Sequence, residues 1–186
     1  MALFFVVATP IGNLKDITLR ALEVLKQSDV ILCENIERTK KLLDFYKIEG
    51  KILLRYHQHS KIKDTQKILN FLKEGKILSL VCDAGTPGIS DPGGRLVDFL
   101  YKNLNESELK IVPIPGPSAI TTLLSVSGIF ADRFLFLGFF PKKKRRRNFL
   151  EKIFEGKEPK IFFESPFRIL KTLKEINQMA KEKNLE

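Results

Sequence analysis

Seven short, branched and almost continuous apolar runs recur along this chain, at Leu3–Ala8, Val30–Cys33, Ile52–Leu54, Ile77–Cys82, Ile111–Ile114, Phe134–Phe140 and Ile161–Phe163. Such runs lack the alternation of a half-solvated strand and read as strands buried on both faces. Between them lie stretches with helical spacing. Ile17, Ala21 and Leu25 share a face behind the candidate N-cap Asp16, and Ile68, Leu69 and Leu72 share one between Asp64 and the helix-stopping Gly75. "GGRLVDFLYKNL", "PSAITTLLSVSG" and "PFRILKTLKEINQMAKE" continue the series. Strand and helix therefore alternate, which calls for an α/β architecture with a largely parallel sheet. In "VPIPGPSA", Pro113, Pro115 and Pro117 stiffen the chain and halt the strand at Ile114. This marks a boundary between an α/β domain over residues 1–114 and the first part of a second α/β domain over 115–186.

With 186 residues, 44% of them hydrophobic, the chain can bury a real core. Its longest apolar runs, such as "LFFVVA", fall far short of the ~20 residues of a membrane span, and no signal-type segment opens it. A cytoplasmic protein without a membrane partner is expected. Cys33 and Cys82 each close an apolar run, so they are expected as buried thiols in neighbouring strands rather than as a disulfide. The only histidines are His57 and His59, and no Cys/His cluster has ligand spacing, so no metal site is expected. The net charge of +10 favours a polyanionic partner such as RNA.

In open α/β sheets ligands sit outside the carboxyl ends of the strands, where loops and helix N-termini converge. "ATPIGNL", "CENIERT", "DAGTPGISDPGG" and "IPGPSA" all follow predicted strands and so share one rim. Residues 83–94 hold four glycines and two prolines. Glycine lets the backbone approach a ligand or take positive φ, and proline fixes the loop's shape in advance. A tight turn packed under a helix is the plainer alternative. Neither G-x-G-x-x-G after a strand nor G-x-x-x-x-G-K-[ST] is present, so the dinucleotide and phosphate-loop fingerprints do not apply.

"VVATPIGNLKDITLRALEVL", "VCDAGTPGISDPGGRLV", "PIPGPSAITTLLSVSG" and "FLGFFPKKKRRR" followed by "FFESPFRILKTL" resemble, in order and spacing, the motifs of the ribosomal-RNA branch of the tetrapyrrole methylase family. The resemblance implies two α/β domains, usually in a homodimer, with S-adenosylmethionine folded between them. It also implies methyl transfer to the 2′-hydroxyl of a cytidine ribose in 16S RNA of the small ribosomal subunit. Members normally continue with further strands of the second domain, which is expected here to be incomplete. Family position implies cofactor contacts from Pro10, Gly85, Thr86, Pro87, Ile89 and Ser90, joined by Ser118 and Ala119. For Ser118, helix capping beside Pro117 is an equal alternative.

Methyl transfer to a hydroxyl needs alignment and a group to relieve the hydroxyl of its proton. Asp91 and Glu34 are the carboxylates expected nearest that hydroxyl, although an Asp before Pro commonly caps a turn or a helix. Asp83 reads as a loop organiser. Where the family commonly has Glu-Asp-Thr-Arg, this chain has Glu34, Asn35, Ile36 and Glu37, with Arg38 placed to take over the missing cation's contact with RNA. Phe167 stands where a histidine is frequent. His57 and His59 resemble part of a family His-x-His-Asn segment, and an RNA-contacting or surface role is preferred to metal binding. Six consecutive cations, Lys142 to Arg147, follow a strand; of these Lys143, Lys144, Arg145 and Arg146 are expected to hold RNA phosphates. A solvated loop is the alternative. Two other functions compete: methylation of a tetrapyrrole or other small molecule, and RNA binding without catalysis.

Overall fold

The computed structural model describes residues 1–57, 60, 62–143 and 145–184. They fall into two compact units, Met1–Leu123 and Leu124–Glu186. The first contains strands β1 (Ala2–Val7), β2 (Val30–Cys33), β3 (Ile52–Arg55), β4 (Leu78–Leu80) and β5 (Leu109–Ile114). All pair in parallel, in the order β3-β2-β4-β1-β5. Helices α1 (Leu19–Gln27), α2 (Ile36–Phe45), α3 (Ile62–Lys73) and α4 (Gly93–Asn103) connect them, and α5 (Ala119–Val126) follows β5. The α/β architecture and the mostly parallel sheet are as expected.

The inner strands β1, β2 and β4 are covered on both faces, which is why they read as unbroken apolar runs, while the edge strands β3 and β5 are only partly buried. Phe5, Val7, Ile31 and Cys33 pack with Ala21 and Leu25 of α1 and Leu43 of α2. Their neighbours along the strands, Phe4, Val30, Leu32, Leu78 and Leu80, pack on the other face with Ile68 and Leu72 of α3 and Leu96 and Leu100 of α4. Each fully buried Leu or Phe contributes about 2 kcal/mol by leaving water. Ser28 and Ser79, both wholly buried, satisfy one another through their hydroxyls at 2.5 Å, and Ser28 also donates to Val24 O at 2.7 Å. Cys33 and Cys82 are buried free thiols.

Local signals set the helix ends. Thr18, not Asp16, caps α1, its hydroxyl accepting from Ala21 N at 3.1 Å; Asp16 instead closes a 3-10 turn, Leu14–Asp16. The threonine sits one residue before the first helical position, where its oxygen reaches a free N–H. At the end of α3, Gly75 N donates to Leu72 O and Lys76 N to Phe71 O, a paired closure that satisfies two terminal carbonyls.

The second unit contains β6 (Leu135–Phe139), α6 (Arg146–Ile153), β7 (Lys160–Phe163) and α7 (Ile169–Glu182), with β6 and β7 parallel. Its core is aromatic: the Phe140 ring lies 4.8 Å from Phe149 and 5.4 Å from Phe162, and Phe136 lies 4.8 Å from Phe163.

Candidate active site

The first unit has a point at which the chain reverses its direction of travel across the sheet. From β1 it runs to β2 and β3 by helices on one face, and from β4 to β5 by a helix on the other. The loops after the adjacent strands β1 and β4 therefore part to opposite faces and leave a crevice at their carboxyl ends. They are nonetheless tied together. Thr9 N donates to Gly85 O at 2.9 Å and Gly85 N to Thr9 O at 3.0 Å, while Thr9 Oγ1 donates to Cys82 O at 3.0 Å.

The glycine-proline loop is built for this rim. Gly85 and Gly88 have φ of +83° and +94°, a region open to glycine at little cost. Ser90 also lies there, at +62°, where an L side chain is uncommon. A Cβ on Gly85 would lie 3.6 Å from Ile11 Cγ2 and 3.7 Å from Pro117 O, so the loops after β1, β4 and β5 meet at this residue. Thr86 Oγ1 adds a hydrogen bond to Pro117 O at 3.2 Å. Pro10, Gly85, Thr86 and Pro87 thus come together with the strand-5 loop that leads to Ser118 and Ala119. Ile89 and Ser90 are exposed at the loop tip.

The two expected catalytic carboxylates differ in their engagement. Asp91 Oδ1 accepts from Gly88 N and Gly93 N, both at 2.7 Å, so this oxygen shapes the loop and opens α4. Glu34 is half-buried at the end of β2. Burial, then the negative charges of Asp91 and Asp83, push its carboxyl above the usual range, against a smaller pull from the Asp83 backbone N–H. Burial, then the negative charges of Asp91 and Glu34, push the Cys82 thiol up to about 12, and its hydrogen goes to Ala84 O and Gly85 O.

The departure in "ENIE" has a local explanation. Asn35 caps α2, its side chain accepting from Glu37 N at 3.0 Å and Arg38 N at 3.2 Å. Asn serves as well as Asp in that position. Arg38 reaches back to Asp83, Nη1 to Oδ2 at 3.3 Å, while Asp83 Oδ1 is buried without a hydrogen-bond partner among the described residues.

The basic run divides. Lys143 and Arg145 are exposed, and Lys144 lies outside the described residues, as does His59. Arg146 starts α6 and turns inward: its guanidinium donates to Glu175 Oε2, Pro141 O and Thr172 Oγ1, and lies 4.4 Å from the Phe140 ring centroid. Glu164, at the end of β7, accepts from Thr172 Oγ1 at 2.7 Å and pairs with Arg168 at 2.5 Å. Burial pushes its carboxyl up, but Thr172, the Ser165 N–H and the Arg168 and Arg146 guanidiniums outweigh that and hold it below the usual range. This buried network has no sequence signature, because its members are 29 residues apart at the widest hydrogen bond. Nor is β3 long enough to reach His57; it ends at Arg55.

The sequence profile of the Tetrapyrrole (Corrin/Porphyrin) Methylases matches residues 3–185, and the chain belongs to that family. Ribosomal RNA small subunit methyltransferase I of Thermotoga maritima is 44% identical over 176 residues, covering 95% of this chain and 77% of that protein. The protein of the same name from Buchnera aphidicola subsp. Schizaphis graminum is 45% identical over 175 residues, covering 94% of this chain and 60% of that protein. Within the family, the chain groups with these ribosomal RNA small subunit methyltransferase I proteins, as its motifs led one to expect. The crystal structure of the methyltransferase CobJ shares the fold, with a TM-score of 0.66 at 17% identity over 95% of this chain and 77% of that one. Among the described residues, no helix is long and apolar enough to cross a membrane.

Proposed function

We propose that the chain acts as an S-adenosylmethionine-dependent methyltransferase that modifies the 2′-hydroxyl of a cytidine ribose in 16S ribosomal RNA. The observation that carries this reading is the tied pair of loops after β1 and β4, with left-handed backbone at Gly85, Gly88 and Ser90, in a chain whose relatives bear that enzyme's name. Such a rim offers main-chain donors and acceptors and the apolar Ile89, which is 47% exposed; this donor set suits the adenosine part of the cofactor. Pro10, Gly85, Thr86, Pro87, Ile89 and Ser90 hold the cofactor, with Ser118 and Ala119 on its flank. When bound, S-adenosylmethionine supplies an activated methyl group on a sulfonium.

The residues of the chain do the rest. Glu34 takes the proton of the acceptor hydroxyl, a task for which a carboxyl lifted above its ordinary range is suited. Asp91 holds the loop in shape through Gly88 and Gly93 and adds negative charge beside Glu34. Lys143, Lys144, Arg145 and Arg38 hold RNA phosphates, while Arg146 fixes the base of the run within the second unit. The test is tritium transfer from labelled cofactor to small subunits isolated from cells lacking the enzyme. Label recovered in an alkali-stable, cytidine-containing dinucleotide of the 16S RNA is expected. Its absence, with the cofactor bound, overturns the reading.

A further inference from the structure

A cleft of about 340 Å³ opens between α2 and the loops after β1 and β4. It lies on the α2 side of the Thr9–Gly85 pair, and of the expected cofactor contacts only Pro10 lines it. Its walls are of two kinds. Ile11, Leu14 and Leu42 are apolar, whereas Arg38 and Lys41, three residues apart on α2 and so on one face of it, are exposed cations.

We infer that this cleft seats the acceptor nucleotide itself, turned out of the RNA strand, with its phosphate on Arg38 and Lys41 and its ring and ribose against Ile11, Leu14 and Leu42. The inference rests on the methyl-transfer reading above and names where the acceptor goes. Four observations carry it. The volume is near the low end of the roughly 300–1,000 Å³ range of ligand pockets, which suits one nucleotide and is cramped for a tetrapyrrole macrocycle. The lining pairs an apolar wall with cations, which is the chemistry of a nucleotide. Among the described residues the Arg38 side chain pairs with Asp83 alone, with its own side chain 65% exposed, a contact weak enough to be exchanged for a phosphate. Finally, Asp83 lines the cleft with a part-exposed carboxylate that is under-satisfied, its buried Oδ1 having no donor among the described residues, and a ribonucleotide brings hydroxyl and amino donors to its exposed side.

The position also answers a requirement of the chemistry. Enzymes that act on one nucleotide commonly remove it from its stack, and methyl transfer needs donor and acceptor side by side. Thr9 and Pro10 line the cleft, and Thr9 is hydrogen-bonded to Gly85 of the cofactor loop, so an acceptor in the cleft lies beside a donor held on that loop.

Two variants of the whole chain test this. A Cβ on Gly12, which lines the cleft, meets no atom within 4 Å, so Gly12→Phe is expected to add its ring to the cleft with the fold kept, which a wild-type unfolding midpoint checks. It is expected to lower kcat/KM for unmethylated small subunits at least tenfold while S-adenosylhomocysteine affinity, read by calorimetry, stays within twofold. Lys41→Ser is expected to raise KM several-fold with little change in kcat, and to weaken a fluorescent cytidine-centred RNA decamer in anisotropy titrations. If Gly12→Phe also loses S-adenosylhomocysteine, Lys41→Ser decides. Wild-type methylation in Lys41→Ser together with unchanged decamer binding overturns the cleft assignment while methyl transfer to RNA stands. A wild-type chain that leaves subunits unlabelled but binds uroporphyrin in the cleft, displaced by Gly12→Phe, overturns the RNA reading and the cleft assignment together.

Discussion

The carboxylate of Asp91 and the backbone of Gly93 are so close that a Cβ on Gly93 would lie 2.9 Å from Asp91 Oδ1, and only 2.8 Å from Gly88 N. The loop and the first turn of α4 are locked by that contact, and a methyl group has nowhere to go. Gly93→Ala is expected to cost about 1–3 kcal/mol, the usual range for forced overpacking. Urea unfolding should show it, and a wild-type midpoint would remove the proposed lock.

Gly85→Val combines two penalties, a left-handed φ of +83° and side-chain atoms directed at Ile11 and Pro117 O. The loop should pull away from its partners. Calorimetry is expected to show at least a tenfold loss of S-adenosylhomocysteine affinity, about 1.4 kcal/mol. Full affinity in a folded variant would place the cofactor elsewhere.

Glu34 carries a carboxyl raised by burial and by like charges, so its ionised form is disfavoured in the folded state. A raised folded value means that its contribution to stability is present below the ordinary value of 4.5 and is lost as pH rises through the folded value. Glu34→Gln should therefore gain stability over the wild type progressively from about pH 4.5 upward while losing methyl transfer. Unfolding curves at pH 4 and pH 7 check the first half, and an equal offset at both would falsify it.

Glu164 gives the opposite sign. Its depressed value means stability that is present above 4.5 and lost as pH falls through the folded value. Hydrogen-exchange protection factors of the second unit, taken relative to the intrinsic rate at each pH, are expected to fall on acidification below pH 4.5, with a smaller change in Glu164→Gln.

Arg146 and its neighbours Lys143 and Arg145 should separate cleanly. Arg146→Ala strips donors from Glu175, Pro141 and Thr172, and is expected to destabilise the second unit by about 3 kcal/mol. Lys143→Ser with Arg145→Ser should leave stability unchanged and flatten the slope of log RNA affinity against log salt by roughly 0.7–0.9 per lost phosphate contact. Superimposed salt titrations would make those two cations a solvated surface.

The legible parts of the molecule were those written in local pattern. Every predicted strand forms, and burial on both faces explains the unbroken run of β2, where Ile31–Cys33 lies between α1 and α3, whereas β3 and β6 are apolar runs without a fully buried residue. The rim was legible too, since glycines and prolines mark backbone that must take unusual shapes. What escaped was chemistry made by long-range closure. Asn35 looks like a lost carboxylate until α2 is seen to begin on it. Arg146 looks like one more cation in a run until Glu175 and Thr172 arrive from α7. The cleft escaped for the same reason: Leu14, Lys41 and Asp83 are unremarkable residues in separate segments, joined only by the fold.

The bond between the loops after β1 and β4 is made by main-chain atoms of Thr9 and Gly85. Spacing across the crevice is thus set by the backbone, whereas the side chains that line it on either side are free to differ. A lineage can exchange Arg38 and Lys41 on α2, or Ile89 at the loop tip, and keep the same gap between the two walls. In this first unit, what the crevice accepts can diverge while its mechanical frame is inherited unchanged.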